Sequence, residues 1–195
     1  MSMTRGQLLA GLAAGCTWVC AADQSRADAK PDAQATIAEA CALAGQEGKS
    51  VLVVFFASWC APCHLLEQVL DEPQAASVLN QYFRIVRMRV DERDMSHRSQ
   101  QLRGAEQAFL RYAPRNRALP FFVALDANAR LVTSSICPTT HESALFPTDA
   151  TDLDCLDGIF VQAAPTMSTV DRAVLRASFS GVWAQNVATD QGRRH

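Results

Sequence analysis

Two cysteines separated by two residues dominate the chemistry that this 195-residue chain can offer. Cys60 and Cys63 follow an apolar run rich in β-branched and aromatic residues, 51–57, and precede a helical pattern that continues to residue 70. The run predicts a strand buried on both faces, which places the cysteine pair where that strand meets a helix. One helical turn brings the two sulfurs within bonding reach, and the unpaired N–H groups of the helix N-terminus favour a thiolate on Cys60.

This arrangement predicts exchange between a dithiol and a partner's disulfide. Cys60 is the candidate nucleophile, expected to be exposed and to have a pKa below the free value of about 8.5, toward about 7 or less. Cys63, one turn further and more buried, is the candidate resolving thiol. Pro62 stiffens the turn and removes one backbone donor near the sulfurs. The alternative at the same position is a plain structural disulfide.

The segment FFASWCAPC, residues 55–63, resembles the active-site segment of the thioredoxin superfamily. His64 and Glu67 make it more similar to secreted bacterial thioredoxin-like proteins that carry Trp-Cys-x-x-Cys-His. The resemblance implies an α/β thioredoxin fold, in which a central mixed β-sheet is flanked by helices on both faces. It also implies that Trp59 flanks the thiolate and limits its access to solvent, the alternative being that Trp59 simply packs in the core.

Two further expectations follow from the same resemblance. Leu119-Pro120 stands where the family has a cis-proline that packs against the redox pair and offers backbone groups to the substrate. Ala61-Pro62 is similar to the dipeptide of reducing members, which favours reduction of client disulfides over oxidation or isomerisation. The expected partners are proteins with disulfides or thiols and an unidentified electron donor, and no cofactor or metal is expected.

The chain departs from cytosolic thioredoxins at one position that matters for proton transfer. Those proteins carry a buried Asp in the strand before the motif, where this chain has Val54. Glu67, one turn after Cys63, is a candidate to take over proton transfer, and its alternative role is a solvated helix face. His97 and His141 have no partner pattern and are expected on the surface or in loops.

Two other functions remain open from the sequence. The run Cys60-Ala61-Pro62-Cys63-His64 also spells the c-type haem attachment motif, with His64 as the would-be axial ligand. The buried strand before the motif and the predicted strand count favour the redox interpretation over a haem domain. The dithiol is also suited to binding Cu(I) or Zn. The protein would then be a metal-binding protein, most simply for copper, that serves the assembly of a metalloenzyme.

The N-terminus predicts export. Residues 1–22 contain Arg5 and then an apolar stretch with small residues at its end, as signal peptides do, although an ordinary N-terminal helix is the alternative. Cys16 lies in a run that resembles a lipoprotein processing site, which makes it a candidate lipidation site. The expected location is therefore the periplasm, either in solution or anchored to the membrane by a lipid. Residues 23–32 are predicted to be a linker.

The rest of the chain predicts one domain over residues 33–188, with an insertion at about 136–157 and a tail at 189–195. Cys137 and Cys155 are candidates for a structural disulfide, whereas Cys41 is expected to be a small buried side chain. After a first helix, 33–46, the order β-α-β-α-β-β-α is expected, with strands at 51–57, 83–90, 121–125 and 130–134. Helices are predicted at 99–112, 156–163 and 169–187, and a loop at 91–98. The net charge of −2, without a basic patch interleaved with aromatic residues, gives no reason to predict nucleic-acid binding.

Overall fold

The computed structural model of the chain describes residues 32–113, 118–143 and 146–193. The helices of this part of the chain are α1 (Ala33–Glu47), α2 (Ala61–Asp71), α3 (Pro73–Tyr82), α4 (Met95–Arg98), α5 (Ala105–Tyr112), α6 (Ala150–Ala163) and α7 (Thr169–Gly192). Its strands are β1 (Ser50–Phe56), β2 (Phe83–Arg89), β3 (Phe121–Leu125) and β4 (Leu131–Ser134).

The four strands form one mixed sheet in the order β2-β1-β3-β4. β1 runs parallel to β2 and antiparallel to β3, and β3 runs antiparallel to β4. In the β1–β3 register Phe55 lies opposite Phe121, so the end of β1 that leads to the cysteines adjoins the start of β3. The predicted fold class, a central mixed sheet with helices on both faces, is confirmed.

Two hydrophobic cores cover the two faces of the sheet. Successive side chains of a strand point to opposite faces, so β1 supplies Val51, Val53 and Phe55 to one core and Leu52 and Val54 to the other. The first core packs against α1 and α5, and the second packs against α2, α3, α6 and α7. β1 is therefore buried on both faces, as its continuous apolar sequence predicts.

The segment between β2 and β3 differs from the prediction. A short helix, α4, occupies part of the predicted loop at 91–98, and α5 begins at Ala105 rather than at residue 99. Asp94 begins α4 because its side chain accepts a hydrogen bond from the backbone N–H of Ser96. Gly104 precedes α5 with a φ of 78°, a left-handed conformation that interrupts a helix and favours glycine.

Two helix boundaries in the C-terminal part also differ. α6 begins at Ala150, inside the stretch 136–157, because the Asp149 side chain caps it by accepting from the Asp152 N–H. α7 extends to Gly192 and so includes the first residues of the segment 189–195. The predicted signal peptide, Cys16 and the linker residues 23–31 lie outside the described residues, whereas Asp32 caps α1.

The second cysteine pair ties the chain after β4 to α6. Cys137 and Cys155 form a disulfide with their Cα atoms 5.4 Å apart. Cys41 on α1 is a buried free thiol in the first core, and burial raises the pKa of this thiol. Among the described residues there is no helix both long and apolar enough to cross a membrane, and no cluster of three or more His, Cys, Asp or Glu suited to a metal ion.

Candidate active site

A tight turn carries the chain from β1 into α2 and presents the cysteine pair. The Cys60 N–H donates to the Ala57 carbonyl at 3.1 Å, which closes the turn. Cys60 has extended backbone angles and is the N-cap of α2, whose first turn contains Pro62. Proline fits there because the first N–H groups of a helix have no partner within the helix. Local sequence therefore fixes where the sulfurs lie.

Cys60 and Cys63 form a disulfide with a Cα–Cα distance of 5.2 Å. The Cys63 N–H lies 3.3 Å from the Cys60 Sγ, where it would stabilise a thiolate once the pair is reduced. Cys63 is 0% exposed and Cys60 is 3% exposed. The expectation of an exposed Cys60 is therefore wrong for the oxidised pair, because Cys60 belongs to the same buried core as Ala57 and Leu119.

Leu119 and Pro120 lie at the start of β3, beside the end of β1. The Leu119–Pro120 peptide bond is cis. Phe121, the next residue, is the register partner of Phe55, and Leu119 belongs to the same buried core as Cys60 and Cys63. The fold thus brings the predicted proline segment to the same end of the sheet as the cysteine pair.

Trp59 is partly exposed, at 41%, and is held by the loop that follows β2. Its indole Nε1 donates to the Asp91 carbonyl at 2.6 Å. The guanidinium carbon of Arg93 lies 3.8 Å from the centre of the Trp59 ring, a cation–π contact. Trp59 therefore connects the cysteine turn to this loop, a role that the sequence does not predict.

Glu67 contacts His64 on the exposed side of α2. The His64 Nδ1 lies 3.3 Å from a Glu67 carboxylate oxygen, and the His64 Nε2 donates to the Ser58 carbonyl at 2.9 Å. In the part of the chain that the structure describes, the Glu67 carboxylate therefore pairs with His64. The arrangement holds His64 between the start of the turn and the second turn of α2.

A buried carboxylate lies behind the cysteine turn. Glu92 is only 3% exposed and accepts two hydrogen bonds from Ser58, one from the backbone N–H at 2.8 Å and one from the hydroxyl at 2.5 Å. The Nδ1 of His97 lies 3.0 Å from the same hydroxyl. His97, which the sequence places on the surface or in a loop, instead lies half-buried in α4, with its ring against Ser58. His141 is exposed in a loop, as expected.

Two arginines complete the surroundings of Glu92. Arg89 on β2 lies 3.4 Å from its carboxylate, and Arg98 on α4 donates to its backbone carbonyl at 3.1 and 3.2 Å. Burial raises the pKa of the Glu92 carboxyl, but the hydrogen bonds from Ser58 and the charge of Arg89 outweigh it and hold the pKa below its usual value. The sequence signal for this site is a glutamate shortly after the end of a strand, in a charged loop where the sequence predicts no helical turn.

Comparisons with known proteins agree with this fold. Residues 32–127 match the family described as thioredoxin-like. No curated protein matches the chain. The structure is similar to that of a disulphide isomerase from Xylella fastidiosa Temecula1, with 19% identity over 77% of this chain and 91% of that chain and a TM-score of 0.43. A thioredoxin from Thermus thermophilus is 27% identical over 49% of this chain and 68% of that chain, with a TM-score of 0.38.

A third similar structure is the pneumococcal exposed lipoprotein thioredoxin Etrx1 from Streptococcus pneumoniae strain TIGR4, with 19% identity over 45% of this chain and 74% of that chain and a TM-score of 0.34. The family match over residues 32–127 and the bonded cysteine pair support one functional assignment. Residues 32–127 therefore form a thioredoxin-like domain, in which Cys60 and Cys63 are the cysteine pair of a thiol–disulfide oxidoreductase.

Proposed function

We propose that this protein reduces disulfides of exported client proteins by dithiol–disulfide exchange through Cys60 and Cys63. The observation that carries the proposal is the bonded pair at the N-terminus of α2, where the Cys63 N–H faces the Cys60 sulfur at 3.3 Å. A helix N-terminus and a direct N–H donor both favour the thiolate that attacks a disulfide.

The reaction begins with the reduced pair. The Cys60 thiolate attacks one sulfur of the client disulfide, a mixed disulfide forms, and one client thiolate leaves. The Cys63 thiolate then attacks the Cys60 sulfur, the second client thiolate leaves, and the Cys60–Cys63 disulfide is restored. Two electrons pass to the client, and each departing thiolate takes a proton. An electron donor outside the chain must reduce the pair again before the next cycle.

Neighbouring residues support this cycle in distinct ways. Pro62 constrains the first turn of α2, and Trp59 offers a partly exposed aromatic surface next to Cys60. Leu119 and Pro120 lie at the same end of the sheet and supply the opposite wall for a bound client segment. Glu67, paired with His64, is the candidate to exchange protons with solvent at this edge.

Export is supported by the pattern of residues 1–22, with Cys16 as the candidate lipid-bearing residue. A protein located there meets clients whose cysteines are oxidised. Cell fractionation of the tagged full-length chain tests this part of the proposal. Recovery in the periplasmic or membrane fraction is expected, and recovery of the uncleaved chain in the cytosol would contradict export.

Trapping of mixed disulfides tests the exchange mechanism. In Cys63→Ser the first attack proceeds but resolution is blocked, so adducts with clients should accumulate and should disappear on treatment with reductant. Cys60→Ser is the matched control, since it lacks the attacking thiol and should trap none. If both variants trap adducts equally, or neither does, the assignment of Cys60 as nucleophile is wrong.

A further inference from the structure

The buried carboxylate of Glu92 is the strongest structural feature near the cysteines that the exchange cycle leaves without a role. A buried charge is unfavourable unless several partners compensate for it. Glu92 has them: its two carboxylate oxygens accept from the N–H and the hydroxyl of Ser58, and Arg89 faces one of them. The side chain of Glu92 is fully shielded from solvent, at 0% exposure.

Ser58 connects the Glu92 carboxylate to the cysteine turn. The turn closed by the Cys60 N–H and the Ala57 carbonyl contains Ser58 as its second residue. Glu92 fixes the N–H and the hydroxyl of Ser58, and His64 fixes its carbonyl. Because Cys60 follows two residues later, its Cα lies within about 7 Å of the Ser58 Cα. The carboxylate therefore binds the same turn that carries the reactive sulfur.

We propose that Glu92 is a positioning residue that holds the Ser58 turn and, through its fixed negative charge, disfavours the Cys60 thiolate and so makes the pair a stronger reductant. This inference rests on the proposed function. The thiolate exists only in the reduced pair, so a nearby anion destabilises the reduced form relative to the disulfide. The protonatable and charged groups that face Glu92 or its backbone are Arg89 from β2 and His97 and Arg98 from α4; His97 does so through Ser58.

Glu92→Gln removes the charge and nearly keeps the shape of the side chain. At pH 8, dithiothreitol passes two electrons and one proton to the Cys60–Cys63 disulfide and releases its other proton to solvent, which leaves Cys63 as a thiol and Cys60 as a thiolate. For this reaction we expect the apparent equilibrium constant to rise about three- to tenfold in Glu92→Gln. That is the size expected for loss of a unit charge about 10 Å away at an effective dielectric constant of about 25–50, between that of a surface site and that of bulk water. It corresponds to a rise of about 15–30 mV in the reduction potential. In a Cys63→Ser background, the pH midpoint of Cys60 alkylation should fall.

Glu106→Gln is the matched control. Glu106 on α5 also binds the loop after β2, by accepting from the Asp91 N–H, but it does not contact Ser58. In Glu106→Gln, the equilibrium constant for reduction of the Cys60–Cys63 disulfide by dithiothreitol should stay within about twofold of the wild-type value. Equal shifts in Glu92→Gln and Glu106→Gln, or no shift in Glu92→Gln, would overturn the inference. Glu92→Asp, which keeps the charge, should move the constant less than Glu92→Gln.

Ser58→Ala keeps the test decisive if Glu92→Gln does not fold. This variant retains the carboxylate but removes one hydrogen bond that spreads its charge, so the equilibrium constant should fall about twofold, opposite to the effect of Glu92→Gln. An unchanged constant in folded Ser58→Ala would then overturn the inference. The wild-type protein separates the two proposals: failure of the wild-type pair to exchange with dithiothreitol contradicts the proposed function itself, whereas normal exchange with an insensitive Glu92→Gln contradicts only the role of Glu92.

Discussion

The backbone N–H of Cys63 lies 3.3 Å from the Sγ of Cys60, so the second cysteine supports the first through its main chain as well as through its thiol. This contact depends on the extended backbone of Cys60 at the N-cap of α2. It survives replacement of the Cys63 side chain, which lets the two contributions be separated by experiment.

Cys63→Ala should therefore leave Cys60 with an unusually acidic thiol. Its ionisation midpoint, followed by the pH dependence of alkylation, is expected below that of an unperturbed cysteine, which is about 8.5. The same variant unfolded in urea is the control and should return to the ordinary midpoint. A folded midpoint at or above that of the unfolded chain would show that the helix N-terminus does not stabilise the thiolate.

Ser58→Ala should destabilise the protein in a pH-dependent way. The folded pKa of Glu92 is lowered, so the stability it contributes is present above the unfolded value near 4.5 and is lost as pH falls through the lower folded pKa. Loss of the hydroxyl bond to this carboxylate should reduce the free energy of unfolding by about 1.5–3 kcal/mol at pH 7. The loss should shrink toward pH 3, as the carboxyl takes up a proton.

Ser99→Ala is the control for that measurement. The Ser99 hydroxyl donates to the Ser96 carbonyl on the exposed side of α4, so its removal should change the free energy of unfolding by no more than about 0.5 kcal/mol. Urea unfolding at each pH measures both variants. A loss in Ser58→Ala that stays constant from pH 7 to pH 3 would contradict an ionised Glu92 as the partner.

The pair of substitutions Cys137→Ser and Cys155→Ser should lower the free energy of unfolding by about 3 kcal/mol, since the disulfide closes a loop with a sequence separation of 18. Unfolding is compared with wild type under non-reducing conditions. The Cys60–Cys63 pair should still exchange with dithiothreitol, because the substitutions leave this disulfide and its bonding partners unchanged. Stability equal to wild type would mean that this second disulfide does not constrain the unfolded chain.

Phe109→Ala should strongly lower the free energy of unfolding, because α5 packs against β1 through this ring. The Phe109 ring lies 5.3 Å from that of Phe55 and 5.9 Å from that of Phe121, centre to centre. Removing a buried ring of this kind should lower the free energy of unfolding by about 3–5 kcal/mol. The adjacent Leu110 is exposed, so Leu110→Ala should cost less than about 1 kcal/mol. Similar losses in the two variants would contradict the packing of α5 described above.

The sequence predicts those parts of the fold that local patterns determine. The apolar run of β1, the break at Pro73 and the start of α2 are all set by residues next to one another. The strand-to-helix position of Cys60 and Cys63 follows from the same local pattern. The mixed sheet is also anticipated, because the resemblance carried by residues 55–63 brings a whole fold with it.

Contacts between distant segments are what the sequence does not reveal. Glu92 and His97 look like members of a charged loop, and only the parallel pairing of β1 with β2 places that loop under Ser58. The sequence does not predict the burial of Cys60 for a related reason, since helix-terminus chemistry is local and does not say which distant side chains pack around the sulfur. Gly104 is a local signal for the break before α5, but the apolar spacing of residues 99–112 favours one continuous helix and led to the wrong boundary.

The reduction potential of the Cys60–Cys63 pair tests the central claim most directly. The purified protein is equilibrated with a series of dithiothreitol ratios, and the fraction of reduced pair is read from the accessible thiols. The account predicts a value near −270 mV, that of a thioredoxin-like reductant. A value near −120 mV, that of a strong oxidant, would contradict it.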